Sequence, residues 1–214
     1  NYMCHLNSAV VALSPKKNPM TFQKTMALND FYFGASDSKY PLGHIQLLGK
    51  VKGAMLEGDA PFFTPPFMLD WMANHAIGWW ITSEDLPDRD NRVLVDGDGR
   101  IHLHCEQKNQ EAHRRLLKKL KAILDATGHS LLHVHSSAYL AKKIPLAGVA
   151  HQVGTLRFGN DPKTSVLNTD CRMHDVENLY VVDGSFFPSA GAVNPALTII
   201  ANAIRVGEKM IKEK

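Results

Sequence analysis

The chain has 214 residues, 44% hydrophobic and 21% charged, with a formal net charge of +3. These values exclude a disordered, collagen-like or disulfide-dense chain and leave room for a core that needs no covalent staples. The 24 Lys and Arg residues are scattered against 21 Asp and Glu, so nucleic acid is not an expected partner. Three cysteines, Cys4, Cys105 and Cys171, show no CxxC spacing and fit a reducing compartment better than a disulfide framework. No apolar run approaches the ~20 residues of a membrane helix, so no transmembrane segment is expected. The chain opens on Asn1 rather than Met, which reads as a shortened start that has lost any targeting sequence.

Ala9–Leu13 is a short Val-rich run stopped by Pro15 and predicts a strand. Residues 23–33 and 44–51 predict two more, separated by a turn at Pro41 and Gly43. A Pro-rich loop follows, then helical spacing over residues 67–76 with proline at its first turn. Residues 77–83 read as an apolar strand. The runs 92–95 and 100–104 flank Asp96-Gly-Asp-Gly99, a hairpin signal. Those aspartates lack the spacing and terminal Glu of a calcium loop.

Residues 110–126 give the clearest amphipathic helix, with Leu116, Leu117, Leu120, Ile123 and Leu124 as its stripe and Gly128 as its C-terminal cap. Its Arg114, Arg115, Lys118, Lys119 and Lys121 read as a solvated face. From Pro145 small residues and glycines gather, including Gly148, Gly154 and Gly184. Tyr180–Val182 reads as a short strand. Asn194 and Pro195 read as N-cap and first residue of a last helix. The expected division is a region 1–144 of strands and helices, as in α+β proteins, and a segment 145–214 whose glycines let backbone approach a ligand.

Three constellations carry possible chemistry. His102 with His104, and His133 with His135, each share a strand face, yet no third ligand has convincing spacing, so no metal is expected. Ser185, His151 and Asp183 do not form a nucleophile elbow. His151 stands alone among small residues in Ala150-His-Gln-Val-Gly-Thr155, where an imidazole suits general-base work or a satisfied core position. Asp183-Gly-Ser185 leads through a loop to Asn194-Pro195, where a helix N-terminus offers free N–H groups to an anion.

Taken in order, Ala150-His-Gln-Val-Gly-Thr-Leu-Arg-Phe-Gly159, Asp161-Pro162, Asn178-Leu-Tyr-Val-Val-Asp-Gly-Ser185 and Asn194-Pro195 with Thr198 resemble the C-terminal half of the glucose–methanol–choline (GMC) family of flavin-dependent oxidoreductases. Ser83-Glu-Asp-Leu-Pro87 with Asn91-Arg-Val93 resembles the family's substrate domain. The resemblance implies an α+β substrate-binding region, with an antiparallel sheet carrying helices on one side. It also implies the last strand and helix of an FAD-binding region whose N-terminal part is missing.

The activity implied is oxidation of a CH–OH group of an alcohol or sugar, by hydride transfer to flavin N5. His151 matches the family's active-site base and Asn194 its second position. Asp183, Gly184, Asn194, Pro195 and Ala196 match positions that approach the FAD. The family's G-x-G-x-x-G fingerprint is absent; the nearest pair is Gly97 and Gly99 in the hairpin turn. Leu156 stands where relatives often carry Cys. The expected partner is therefore the missing FAD-binding domain. The alternative is an inactive remnant or binding module.

Overall fold

The computed structural model describes residues 1–22, 24–38, 41–127, 132–135 and 149–212, with the side chains of 59 and 132–135 left out. Gly128, Pro145 and Gly148, and the side chains of His133 and His135, lie outside the described residues. The chain forms two compact units, each assembled from separated stretches. The first comprises Asn1–Leu6, Glu84–Asn109 and Val149–Lys214, and the second Asn7–Ser83 and Gln110–Gly148. The first six residues and the hairpin group with the C-terminal stretch in the first unit.

The second unit is built on a five-stranded sheet. Its strands are β2 (Leu6–Leu13), β3 (Ala27–Leu28), β4 (His44–Leu47), β5 (Ala76–Ser83) and β8 (Leu132–His135), ordered β3-β4-β5-β2-β8. The β3–β4, β4–β5 and β2–β8 pairs are antiparallel, with Ile45 opposite Ile81 and Val10 opposite His135. Strand period separates the faces. Val10 and Ala12 join Ile45, Trp79 and Ile81 against α3 (Gln110–Ala126). Val11 and Leu13 point the other way, against Leu56 of α1 (Gly53–Leu56) and Leu69 and Ala73 of α2 (Pro66–His75).

The long helix thus covers one face as the resemblance implied, and the short α1 and α2 pack on the opposite face at β2. Ala112, Leu116, Leu120 and Leu124 recur every fourth residue and are buried, which is why this segment is helical and where it docks. His113 pins the helix, with ring nitrogens 2.8 Å from Ser8 Oγ and 3.0 Å from Ser83 Oγ. On its outer face Arg114 and Arg115 bind Glu111, and Lys119 binds Asp37, so this basic run is a solvated, ion-paired surface.

Two predicted strands come out differently. Among the described residues of 23–33, only Ala27–Leu28 forms a strand; the chain then turns, with Phe31 packed on the core and Phe33 exposed. Tyr180–Val182 is not a strand: Tyr180 makes one bridge to Arg172, and Val181 and Val182 pack into a loop-built cluster with Leu167, Cys171 and Phe186.

The first unit pairs β1 (Met3–Cys4) antiparallel with β9 (Gln152–Val153), Cys4 lying opposite Gln152. It also contains the hairpin β6 (Arg92–Val95) and β7 (Ile101–His104), and α4 (Ala196–Lys212). Among the described residues, no helix is long and apolar enough to cross a membrane.

Candidate functional site

His151 sits immediately before β9, partly buried. Its ring makes no hydrogen bond to a described residue. It meets instead the ring of His5, edge to face, with centroids 4.9 Å apart and planes at 83°. Burial lowers the His151 pKa below the ordinary imidazole value, so the neutral, proton-accepting form prevails at neutral pH.

His5 was not singled out by sequence. It follows β1, is fully buried, and its Nδ1 lies 3.1 Å from the Gly191 carbonyl oxygen, three residues before Asn194. His5 therefore joins the His151 segment to the loop leading into α4. Its only sequence signal is a polar residue inside the apolar run Tyr2-Met-Cys-His-Leu6.

Burial, then the neighbouring His151, holds the His5 pKa at about 4 against the ordinary 6.5, with the Gly191 carbonyl opposing. The unfolded chain takes up this proton near pH 6.5, while the folded chain refuses it until about pH 4. This contribution is present above pH 6.5 and is lost as pH falls toward 4, by about 3 kcal/mol. Urea unfolding across that window is expected to show a loss that His5→Asn reduces; parallel profiles for the two proteins would contradict it.

The loop carrying Ser189–Gly191 is braced by the segment after β5. The Ala190 amide donates to the Asp85 carbonyl at 3.1 Å, and Ser189 Oγ donates to Glu84 Oε1. Asp85 is buried, accepts the Lys108 amide at 2.9 Å, and has its pKa raised, chiefly by burial. Asn91 is equally buried: its amide exchanges hydrogen bonds with the Glu106 backbone at 2.9 and 2.7 Å. The 83–91 motif thus works here as a scaffold.

Asn194 is exposed, and its side chain makes no hydrogen bond among the described residues. The first turn of α4 is closed by the Ile199 amide on the Pro195 carbonyl at 3.0 Å. Pro195 is therefore the N-cap and Ala196 the first helical residue, one position later than the sequence predicted. The Asn194 amide is freed from capping.

Asp183 caps its own 3-10 turn, accepting the Ser185 amide at 2.8 Å through Oδ1, so it orients no serine for hydrolysis. Gly184 lies flat on β9: a Cβ there would stand 3.1 Å from the Gln152 carbonyl oxygen and 3.2 Å from Val153 Cγ1. Gly154 was expected to admit a ligand. With φ +87° and a hypothetical Cβ 2.7 Å from the Asn1 carbonyl oxygen, it instead admits the chain's own first strand segment.

A cleft of about 370 Å³ in this unit is lined by Tyr2, Gln152, Val153, Thr155, Asp183 and Ser185. The Tyr2 hydroxyl is buried without a hydrogen-bond partner among the described residues. Burial pushes its pKa upward, so it remains a donor. The Asp183 carboxylate lines the cleft, and its second oxygen, which makes no hydrogen bond among the described residues, suits a ligand hydroxyl. No group of three His, Cys, Asp or Glu side chains among the described residues is placed to hold a metal; His102 pairs with Asp96 at 2.7 Å.

Residues 87–203 match the profile of the GMC oxidoreductase family. The chain is 33% identical over 129 residues to 6'''-hydroxyparomomycin C oxidase of Streptomyces lividus, covering 56% of this chain and 22% of that protein. It is 35% identical over 129 residues to paromamine 6'-oxidase of Streptomyces fradiae, covering 56% and 23%. It is 34% identical over 150 residues to 2-methyl-1,2-propanediol dehydrogenase of Mycolicibacterium austroafricanum, covering 66% and 26%. The matched stretches span about a quarter of these relatives' length. The crystal structure of pyridoxine 4-oxidase from Mesorbium loti superposes with a TM-score of 0.58 at 17% identity, over 96% of this chain and 43% of that one, a likeness of fold.

Proposed function

Because the chain belongs to the GMC oxidoreductase family, we propose that it is the substrate-binding and catalytic C-terminal part of an FAD-dependent oxidoreductase acting on CH–OH groups of an alcohol or sugar. The observation that carries this reading is the state of His151: neutral, reachable from solvent, held by an aromatic contact, with neither ring nitrogen hydrogen-bonded among the described residues. A general base must be unprotonated and within hydrogen-bond reach of the proton it takes. A histidine buried only for packing would have its nitrogens satisfied.

In this reading a ring nitrogen of His151 takes the substrate hydroxyl proton. The Asn194 amide, free of its helix, holds the substrate oxygen and fixes the carbon for transfer. The first-turn amides of α4, from Ala196 onward, would offer partial positive charge to a flavin that gains electrons. Asp183 takes a hydroxyl group in the cleft, while Gly184 keeps that loop down on β9. When bound, FAD supplies the hydride acceptor. The chemistry of these groups fits the sugar-alcohol and ring portions of FAD. The described residues offer no glycine-rich cradle for its diphosphate.

The remaining grip belongs to an FAD-binding domain, the proposed partner. An exposed apolar stripe supports this. Leu197, Ile200, Ile204 and Ile211 fall on one face of α4 and are 56–82% exposed. Such a stripe on a soluble surface marks a contact.

The test is retention of FAD. The chain alone is expected to lose added FAD on gel filtration and to self-associate. Co-expressed with the FAD-binding domain of a GMC relative, it is expected to hold one flavin per complex. A strictly monomeric chain that forms no complex, or a complex that holds no flavin, would contradict the reading.

A further inference from the structure

We propose that Cys4 and Cys105 are an oxidisable pair that closes to a disulfide within the first unit. They lie 101 positions apart with no motif linking them, yet the fold sets their sulfurs 3.9 Å apart. Cys4 is buried in β1, and Cys105, just after β7, is partly exposed. Cys171 is buried in a different cluster, where Asn202 Nδ2 lies 3.2 Å from its sulfur. One thiol thus meets solvent, a second waits behind it, and the third is held elsewhere.

A disulfide bond is about 2.05 Å long, so side-chain rotation must bring the two sulfurs about 1.9 Å closer. The oxidant is a hydroperoxide, with hydrogen peroxide as the probe. The Cys105 sulfur attacks one peroxide oxygen, the O–O bond breaks, and water leaves a sulfenic acid on Cys105. The Cys4 sulfur then attacks the Cys105 sulfur. The S–S bond forms, the S–O bond breaks, and hydroxide departs with the Cys4 proton as a second water. Two thiols lose two electrons, and one peroxide gains them.

Gln107 Nε2, 3.5 Å from the Cys4 sulfur, favours negative charge there during the second step. Burial, then the neighbouring Cys4, pushes the Cys105 thiol up to about 12, and burial also raises Cys4. Closure is therefore slow near neutrality and accelerates with alkalinity. The bond would tie β1 to the segment after β7, one residue from His5 and opposite the strand that His151 precedes.

The experiment treats the purified chain with an equivalent of hydrogen peroxide at mildly alkaline pH, alkylates it under denaturing conditions and maps the peptides. The expected product is a monomer short of two hydrogens, with the Cys4 and Cys105 peptides linked and Cys171 alkylated. Cys105→Ser and Cys4→Ser each abolish the linkage, and dithiothreitol reverses it in the unaltered chain. Linkage between chains through Cys105, accumulation of Cys105 sulfinic acid beside alkylatable Cys4, or equal oxidation of all three thiols would overturn the proposal.

Discussion

Replacing His151 with alanine is expected to slow substrate-driven flavin reduction by about 10²–10⁴-fold in the assembled, FAD-loaded enzyme, the range of a lost general base. The size follows from what His151 touches. Its ring makes no hydrogen bond among the described residues, so truncation removes a proton acceptor without orphaning a buried partner. The sign of the pH dependence follows from its lowered pKa. Only the neutral ring accepts a proton. The rate at limiting substrate should therefore fall as pH drops through a value below 6.5, and be flat above it. In the alanine variant that limb should disappear. Stopped-flow reduction across pH measures both. An unchanged rate would remove His151 from the chemistry. A slowed rate with the limb intact would make it a positioning residue.

Gly43→Ala is expected to destabilise the second unit by about 3–5 kcal/mol, comparable to the whole stability of a marginal domain. Gly43 enters β4 at φ +133°, a region that L residues avoid. An added Cβ would stand 2.1 Å from the Thr82 carbonyl oxygen and 3.0 Å from both Ser83 Cα and Leu116 Cδ2. Strand β5 and helix α3 close on this residue together, so the backbone has no free direction in which to yield. Urea unfolding followed by far-ultraviolet circular dichroism gives the number. A midpoint within error of the unaltered chain would contradict the packing described. Gly58, where a Cβ meets nothing within 4 Å, is the control position.

What the sequence disclosed depended on how local the cause was. Helix α3 was legible to its end residues because its apolar stripe follows the helical period and nothing distant competes with it. The β6–β7 hairpin was equally plain, since Asp96 through Gly99 form a turn whatever surrounds them. Tyr180–Val182 misled because a short apolar run looks the same in a strand and in a loop that packs on Phe186; its pairing with the neighbouring segment stops at the single bridge to Arg172. Asn194 missed its cap by one residue because Pro195 offers its own carbonyl to the first helical bond.

The site divides the same way. His151 and Asn194 were marked by a resemblance that covers their surroundings. His5 was not, and neither was the meeting of Cys4 with Cys105. Both arise because the first strand returns against β9 and beside the end of β7, contacts across about a hundred or more positions that no periodicity encodes. Glu84 and Asp85 looked like part of a substrate domain. In the fold they brace the loop at Ser189–Gly191 that leads to Asn194.

We propose that this chain completes an alcohol- or sugar-oxidising flavoenzyme. Its most direct test is the anaerobic visible spectrum of the chain complexed with an FAD-binding domain, titrated with primary alcohols, secondary alcohols and sugars. At least one member is expected to bleach the oxidised flavin band, and His151→Ala to slow the bleaching without releasing the flavin. A complex that holds FAD, is bleached by dithionite, and is left oxidised by every alcohol and sugar would contradict it, and would make the chain a binding module.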